Sequence, residues 1–315
     1  MLPTVHPSPS VLIAGAGAMG CLFGGLLAER GMAVTLLARR VDHVNAIRAH
    51  GLRLCGEGGD RAIALAAETD IAAIAPADII FVQCKAHATR QVAALVRRAL
   101  KPTSLVISFQ NGLGNEDEIG AVVGPDRVLG GLTSMGATLE GPGIVRSYAT
   151  LPTVIGEMAG GVSARALALA ELVSAHGLPT TASENILRDK WRKLLLNVAS
   201  SAPSGLTGLT IGEIAASRSL APVARRAMEE AAAVAEASGV HLPVEGRYGV
   251  FDGIVGSGAA RNTTSMRRDI EARRPSELGA IYGSVIALAR HHGVSTPTLD
   301  ALAALVEGVE ATYSR

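Results

Sequence analysis

Ten residues near the start of the chain, Val11–Gly20, have the sequence VLIAGAGAMG. Their apolar beginning predicts a β-strand, and Cys21–Arg30 predicts a helix directly after it. Between the two, Gly15, Gly17 and Gly20 form a G-x-G-x-x-G pattern. In this setting the first glycine permits a tight turn, the second lets a pyrophosphate approach the backbone, and the third lets the helix pack closely on the strand. The segment therefore predicts a dinucleotide-binding domain of the Rossmann type.

The same region allows an alternative, a membrane helix. Val11–Ala28 is an uncharged run of 18 residues, and Gly20 and Gly24 have the spacing of a helix-packing motif. The five glycines between positions 15 and 25 would weaken a continuous helix, however. Met1–Ser10 has three prolines and no Lys or Arg, which argues against a signal peptide. We therefore expect Met1–Ser8 to be a loose tail and the protein to be soluble and cytoplasmic.

Charge and cysteine content exclude several classes of function. The 29 Lys and Arg balance 28 Asp and Glu without a long basic run, so we expect neither a nucleic acid nor a membrane surface as partner. The three scattered cysteines fit reduced thiols better than a disulfide framework. No metal-ligand spacing is present, so we expect no metal. A small-molecule substrate remains as the expected partner, and a homodimer is left open.

A second strand and an arginine pair follow the fingerprint. Ala33–Leu37 predicts a strand one helix after the first, which completes a βαβ unit. NAD-selective domains place an acidic residue about 20 residues beyond the fingerprint to bind the ribose hydroxyls, whereas an arginine there accommodates the 2′-phosphate of NADP. This position holds Arg39 and Arg40. Arg39 therefore favours NADP over NAD, and the alternative is an ordinary solvated arginine pair.

Two later strands end in polar residues. Asp78–Cys84 is a nearly continuous apolar strand followed by Lys85, and Leu105–Phe109 is followed shortly by Asn111. Ligands of doubly wound sheets bind at the carboxyl ends of the strands, so we expect these residues to share one edge with the fingerprint. Taken singly, the lysine is typical of a surface and the Asn-Gly pair of a turn.

The rest of the chain divides into a strand-rich part and a helical part. The ranges 52–54 and 62–65 predict a hairpin, and 129–137, 144–148 and 153–155 predict strands that extend the main sheet. Beyond about Ser183 the pattern is helical almost throughout. The predicted fold class is α/β, with a Rossmann-type dinucleotide-binding domain at residues 9–182 and an all-helical substrate domain at residues 183–315.

The helical part contains two polar stripes. Lys193 and Asn197 lie four residues apart on one helix face, with Ser201 one turn further, and Asn262 and Ser265 have a similar spacing. Buried polar groups cost free energy unless they are hydrogen-bonded, so such stripes need partners or ligands. The alternative for the lysine is a buried stem with its ammonium group in solvent.

Together these motifs resemble the ketopantoate reductase (2-dehydropantoate 2-reductase) family. The matching segments follow the family's order across essentially the whole chain: GAGAMG at 15–20, the strand end at Lys85, QNGLG at 110–114, KWRKLLLN at 190–197, NTTSMRRDI at 262–270 and Pro275-Ser276-Glu277. The resemblance implies NADPH-dependent reduction of ketopantoate to pantoate in pantothenate and coenzyme A biosynthesis.

The resemblance also implies residue roles. Lys193 matches the general acid, and Glu277 matches a carboxylate where cofactor and substrate meet, so both are expected to be catalytic. The expected cofactor-binding residues are Gly15, Ala16, Gly17, Ala18, Met19, Gly20, Arg39, Lys85, Asn111, Ala137 and Glu277. The expected substrate-binding residues are Asn111, Lys193, Asn197, Ser201, Asn262 and Ser265. A positioned ammonium group suits this reaction because hydride transfer to a ketone builds negative charge on the oxygen, which the ammonium stabilises and then protonates.

Two positions depart from the family pattern and leave the substrate open. Ser201 stands where an asparagine is usual, and Ile211 stands where an asparagine often precedes Gly212 and Glu213. A buried hydrogen bond to a substrate hydroxyl can set large discrimination, so a paralogue that reduces another 2-oxo acid is an alternative. A non-catalytic NADP-binding sensor is a second alternative, although it would have no use for Lys193 as an acid.

Overall fold

The computed structural model describes residues 9–243, 248–255 and 257–313, and the expected tail Met1–Ser8 lies outside them. The chain forms two compact units. The first unit comprises Met1–Gln110 and Asn115–Ile186, and the second comprises Asn111–Gly114 and Leu187–Arg315. The sequence patterns did not indicate that the four residues 111–114 belong with the helical unit. The domain limits 9–182 and 183–315 stay a prediction.

The described part of the first unit contains strands and helices in alternation. The strands are β1 (Ser10–Ala14), β2 (Ala33–Leu37), β3 (Leu52–Gly56), β4 (Arg61–Ile63), β5 (Ala66–Glu68), β6 (Ala77–Val82), β7 (Leu100–Ser108), β8 (Val128–Thr133), β9 (Gly136–Gly141), β10 (Ile144–Ala149), β11 (Thr153–Glu157) and β12 (Thr180–Ala182). The helices of four residues or more are α1 (Ala18–Glu29), α2 (Val41–His50), α3 (Thr89–Val96), α4 (Asn115–Val123) and α5 (Ala164–Ala175).

The main sheet has the spatial order β12-β11-β8-β7-β6-β1-β2-β5. The six strands from β8 to β5 run parallel, and β11 is antiparallel to β8. The strand order reverses between β1 and β6, which makes this pair the topological switch point where doubly wound sheets bind ligands. The fold class predicted from the fingerprint is confirmed.

The three segments predicted to extend the main sheet differ in where the structure places them. The strands β8 and β11 do join it, but β9 and β10 belong to a second sheet with the order β4-β3-β10-β9. The prediction that 129–137 and 144–148 both extend the main sheet is therefore wrong for β9 and β10. The antiparallel hairpin of β3 and β4 does form.

Helix α1 packs against strands of both sheets. All eight residues from 20 to 27 are buried, so the helix has no solvent-facing side over this stretch. A Cβ atom at Gly24 would lie 2.6 Å from the Leu36 side chain of β2, and one at Gly25 would lie 2.9 Å from the Leu54 side chain of β3. The uncharged run 11–28 is thus a strand, a turn and a core helix of 12 residues. Among the described residues, none of the helices combines the length and apolar character needed to span a membrane.

The described part of the second unit is helical. Its helices are α6 (Ile186–Thr207), which begins in the first unit, α7 (Ile211–Ala216), α8 (Leu220–Ala237), α9 (Gly249–Gly253), α10 (Ser265–Glu271), α11 (Ser284–His292), which follows a π-helical turn at Gly279–Gly283, and α12 (Pro297–Glu310). They enclose a core around three buried aromatic residues, Trp191, Phe251 and Tyr282.

The hydroxyl group of Tyr282 hydrogen-bonds to the backbone of helix α6. It donates to the carbonyl of Val198 at 2.6 Å and accepts from the N–H of Ala202 at 3.1 Å. These two backbone groups are four residues apart and would bond to each other in a regular α-helix. The next residue, Pro203, has no N–H to donate. The tyrosine hydroxyl therefore bonds to the α6 backbone directly before the proline.

Replacing Tyr282 with Phe should lower the free energy of unfolding by about 1–3 kcal/mol, because both backbone groups lose their partner in a buried site. The measurement is denaturant unfolding followed by the fluorescence of Trp191, the single tryptophan of the chain.

Tyr313→Phe is the matched control. The Tyr313 hydroxyl is buried and has no hydrogen-bond partner among the described residues, so its removal should change stability by less than about 0.5 kcal/mol. Equal losses in the two variants would contradict the role assigned to the Tyr282 hydroxyl.

Candidate active site

The fingerprint turn joins β1 to α1 in the first unit. The N–H groups of Gly15 and Ala16 both donate to the carbonyl of Leu37 at 3.1 Å, which ties the turn to the end of β2. The N–H of Cys21 donates to the carbonyl of Gly17 at 2.9 Å. The first N–H groups of α1 precede this bond and have no acceptor within the helix. Such a helix end favours a negatively charged group.

The structural reason for a glycine differs among the three fingerprint positions. Gly15 has a φ of +116°, and a Cβ there would lie 2.5 Å from the backbone nitrogen of Cys84. A Cβ at Gly20 would lie 2.1 Å from the Gly15 carbonyl oxygen. At Gly17 the φ is −79°, and a Cβ would meet no described atom within 4 Å. The fold therefore requires glycine at the first and third positions, whereas at the second the missing Cβ leaves open space in front of the helix. That space fits a dinucleotide pyrophosphate.

The two arginines after β2 have different surroundings. Arg40 forms an ion pair with Asp42, with its Nε 3.1 Å from a carboxylate oxygen. Arg39 is exposed and makes no hydrogen bond or ion pair with any other described residue. Its guanidinium group is therefore available to a ligand phosphate, whereas that of Arg40 is engaged.

The other predicted cofactor residues of the first unit lie on different elements. Ala18 and Met19 form the start of α1. Lys85 follows β6, the strand that pairs with β1 in parallel. Ala137 is buried on β9 and belongs to the same apolar cluster as Ala16 of the fingerprint. The second sheet therefore supplies the Ala137 region, which sequence patterns had assigned to the main sheet.

Gln83 was not expected at this edge. Its backbone N–H donates to the carbonyl of Ala14 at 2.9 Å, directly before the fingerprint. Its side-chain oxygen and nitrogen are both buried, and neither has a hydrogen-bond partner among the described residues. An unpaired buried amide costs free energy, which a polar ligand group at this edge could offset. The sequence did contain a signal for this residue, because Gln83 is a polar side chain at the end of an otherwise apolar strand.

A chain of hydrogen bonds in the second unit joins Lys193, Asn111 and Glu277. The Lys193 ammonium donates to Oδ1 of Asn111 at 2.9 Å, and Nδ2 of Asn111 donates to a Glu277 carboxylate oxygen at 3.3 Å. The amide orientation follows from the partners, because an ammonium group can only donate and a carboxylate can only accept. Residues that the sequence places far apart thus form one polar cluster.

Gly112 brings Asn111 to this cluster. It has a φ of +81°, and a Cβ there would lie 2.0 Å from the carbonyl oxygen of Ala280. The same carbonyl accepts from the N–H of Leu113 at 3.3 Å. Residues 111–114 therefore lie directly on the turn that follows Glu277, and glycine is required where the two backbones meet.

Lys193 has an unusual proton affinity. Burial lowers its pKa to about 8, and the positive charge of Lys190 lowers it in the same direction, whereas the negative charge of Glu277 opposes both. Lys190 itself is buried and lies three residues earlier on α6. Lys190 was not among the predicted site residues, although its i,i+3 spacing from Lys193 is present in the sequence. The result is an ammonium group that gives up its proton more readily than an ordinary lysine.

The remaining predicted substrate residues lie on α6 and near α10. Asn197 is half-buried and Ser201 is buried on α6, Ser265 begins α10, and Asn262 is exposed before it. The backbone carbonyl of Asn262 accepts from the N–H of Ile211 at 3.1 Å. The side chains of Asn197, Ser201, Asn262 and Ser265 make no hydrogen bond to other described residues. Their polar groups are therefore available to a ligand.

Comparison with known families assigns both parts of the chain. Residues 11–160 match the family model described as ketopantoate reductase PanE/ApbA, and residues 185–310 match the model of its C-terminal part. A protein of Halobacterium salinarum named 2-dehydropantoate 2-reductase is 33% identical, covering 94% of this chain and 97% of its own. A protein of the same name from Pyrococcus abyssi is 31% identical, covering 96% and 98%.

Solved structures agree with this assignment. A PanE/ApbA family ketopantoate reductase of Ralstonia eutropha is 32% identical with a TM-score of 0.90, covering 97% of this chain and all of its own. D-mandelate dehydrogenase in complex with NADH and anilino(oxo)acetate is 26% identical with a TM-score of 0.92 and the same coverage. The resemblance inferred from the motifs is confirmed, and the chain belongs to the ketopantoate reductase PanE/ApbA family of oxidoreductases.

Proposed function

We propose that this protein is an NADPH-dependent reductase of 2-dehydropantoate, with Lys193 as the general acid. The observation that carries the proposal is the hydrogen bond from the Lys193 ammonium to Asn111, which positions a proton donor of lowered pKa beside a neutral amide. The names of the relatives support the substrate. By this proposal the reaction belongs to pantothenate and coenzyme A biosynthesis, and the partner is a small molecule.

The first unit holds the cofactor in this proposal. A bound nicotinamide dinucleotide supplies the hydride for the ketone carbon. The N–H groups at the start of α1 would hold the pyrophosphate, and Lys85 would add a positive charge at the same sheet edge. D-mandelate dehydrogenase has been solved with NADH, so a related fold binds the cofactor that lacks the 2′-phosphate. The exposed Arg39 supports NADPH for this chain because its planar guanidinium matches a phosphate.

Lys193 acts on the carbonyl oxygen of the substrate. Its ammonium group stabilises the negative charge that develops on this oxygen and then donates a proton to it. Burial makes the positive charge more effective, because water does not screen it as it would at the surface. The pKa of about 8 leaves the lysine mostly protonated at neutral pH and still makes it a better acid than an exposed lysine.

Asn111 orients the acid without neutralising it. Its carbonyl oxygen accepts one of the three ammonium hydrogens at 2.9 Å and carries no charge. A carboxylate in the same place would pair with the lysine and raise its pKa. The carboxylate of Glu277 accepts from the Asn111 amide at 3.3 Å and so fixes its orientation. We assign Glu277 this orienting role.

The substrate is held by neutral donors in this proposal. Asn197, Ser201, Asn262 and Ser265 can bind a carboxylate or a hydroxyl without pairing with Lys193. Ser201 offers a hydroxyl where the family usually has an amide, which favours a second candidate, the reduction of another 2-oxo acid. The high structural similarity to D-mandelate dehydrogenase supports this second candidate.

An assay of NADPH oxidation with purified protein tests the substrate. We expect kcat/KM for 2-dehydropantoate to exceed that for an aromatic 2-oxo acid by about 100-fold, because hydrogen bonds to a substrate hydroxyl give strong discrimination. The reverse order would replace the first candidate with the second. Bound NADPH without turnover of any 2-oxo acid would identify a sensor.

Lys193→Met should lower kcat about 10²- to 10⁴-fold, because the variant keeps the stem of the side chain and loses the acid. The Kd for NADPH, measured by fluorescence titration, should stay near that of the wild type. Lys101→Met is the matched control, since Lys101 pairs with Asp78 at 2.8 Å near the amino-terminal ends of the strands and should leave kcat unchanged. A Lys193→Met variant with the wild-type rate would show that Lys193 is not the general acid.

The rate of reduction should depend on pH through Lys193. A general acid works only while protonated, and burial lowers the pKa of this lysine, so proton loss occurs at lower pH than in an exposed lysine. We expect kcat/KM for reduction to be constant below a pH of about 8 and to fall tenfold per pH unit above it. This alkaline limb should be absent from the residual activity of Lys193→Met. A wild-type limb near the pKa of a free lysine would contradict the prediction.

A further inference from the structure

A buried imidazole lies between α1, α2 and the turn that follows β9. His43 belongs to α2 and is 1% exposed. Its Nδ1 accepts from the backbone N–H of Gly143 at 3.0 Å, and its Nε2 lies 3.3 Å from the Sγ of Cys21 on α1. The Cys21 thiol in turn donates to the carbonyl of Ala16 at 3.5 Å. One continuous set of hydrogen bonds therefore runs from the turn between β9 and β10 to the fingerprint.

The partners determine the protonation of the imidazole. A backbone N–H can only donate, so Nδ1 of His43 must be the unprotonated nitrogen. The proton of the neutral ring then lies on Nε2, which donates it to the sulfur of Cys21. The Cys21 S–H in turn donates to the carbonyl of Ala16. Burial lowers the pKa of His43, and the positive charge of Arg40 lowers it further, whereas the negative charge of Asp42 raises it. The lowered pKa is consistent with a neutral ring.

Nucleophilic or redox chemistry does not explain this pair. Cys21 has no exposed surface, and burial raises the pKa of its thiol to about 12. A reactive cysteine needs a thiolate and access for a reagent, and Cys21 has neither. The contribution of the pair is therefore positional.

The connected segments each have an expected contact with the dinucleotide. Ala16 lies in the fingerprint turn, where the pyrophosphate is expected. Arg39 lies two residues before the start of α2 and carries the free guanidinium expected at the 2′-phosphate. Gly143 closes the turn after β9, the strand that carries Ala137. A Cβ at Gly143 would lie 3.3 Å from Cβ of Ala46, so this turn also packs closely on α2.

We propose that His43 is a positioning residue for the dinucleotide, acting through Cys21 and Gly143 to hold the Arg39 segment in register with the fingerprint. This inference rests on the proposed function, because it assumes that the first unit binds NADPH. Loss of the imidazole lets the start of α2 shift relative to the fingerprint. Arg39 then meets the 2′-phosphate poorly, whereas NADH, which has no such phosphate, is affected less. His43 thus supports the preference for NADPH without touching the cofactor.

Binding titrations with NADPH and NADH test the proposal without any substrate. We expect His43→Leu to raise the Kd for NADPH about 10-fold and the Kd for NADH about 2- to 3-fold, in keeping with the loss of one or two buried hydrogen bonds. Cys21→Ala should give a smaller change in the same direction. Cys21→Ser keeps a donor and an acceptor and should restore the NADPH preference.

Val44→Ala provides the matched control. Val44 is the next residue on α2, is 1% exposed and has no polar side-chain group. Its truncation should lower thermal stability through lost packing and leave the ratio of the two Kd values unchanged. His43→Leu and Cys21→Ala variants that lose stability but keep the wild-type ratio would overturn the inference. A wild type that binds neither dinucleotide would instead overturn the proposed function.

Discussion

The proposed chemistry depends on one hydrogen bond, from the ammonium group of Lys193 to a neutral amide. Removing Lys193 from water favours its uncharged form, and a carboxylate in direct contact would cancel that effect. Asn111 satisfies one ammonium hydrogen at 2.9 Å and brings no charge of its own. The carboxylate of Glu277 accepts from the Asn111 amide and orients it. Charge, burial and orientation are thus adjusted separately by three side chains.

Local patterns in the sequence were sufficient for much of the fold. The fingerprint, the strand after it and the change to helical spacing near Ser183 each depend on residues close in the chain, and the structure has the corresponding elements. The position of Lys193 on α6 also follows from local spacing. Its hydrogen bond to Asn111 was not predicted, because no local pattern connects Asn111 with a residue 82 positions later.

Other features could not be predicted, for physical reasons. An alternating pattern predicts a strand but does not specify its neighbours, so the place of β9 and β10 in a second sheet was not visible. The Tyr282 hydroxyl enters a helix 80 residues away, and tyrosine at that position is equally compatible with simple burial. His43 has the spacing of a core residue on α2, and its polar partners belong to distant segments.

The position of α1 between two sheets has a consequence for how this protein can evolve. Gly24 and Gly25 are adjacent in the chain but face Leu36 and Leu54 in different sheets. A larger residue at either position requires the leucine side chain opposite it to move, because a Cβ there would lie less than 3.0 Å from that side chain. Substitutions at these two glycines therefore affect the packing of α1 on both sheets. The same helix begins at the fingerprint, so an uncompensated change in its core would displace the residues that meet the cofactor.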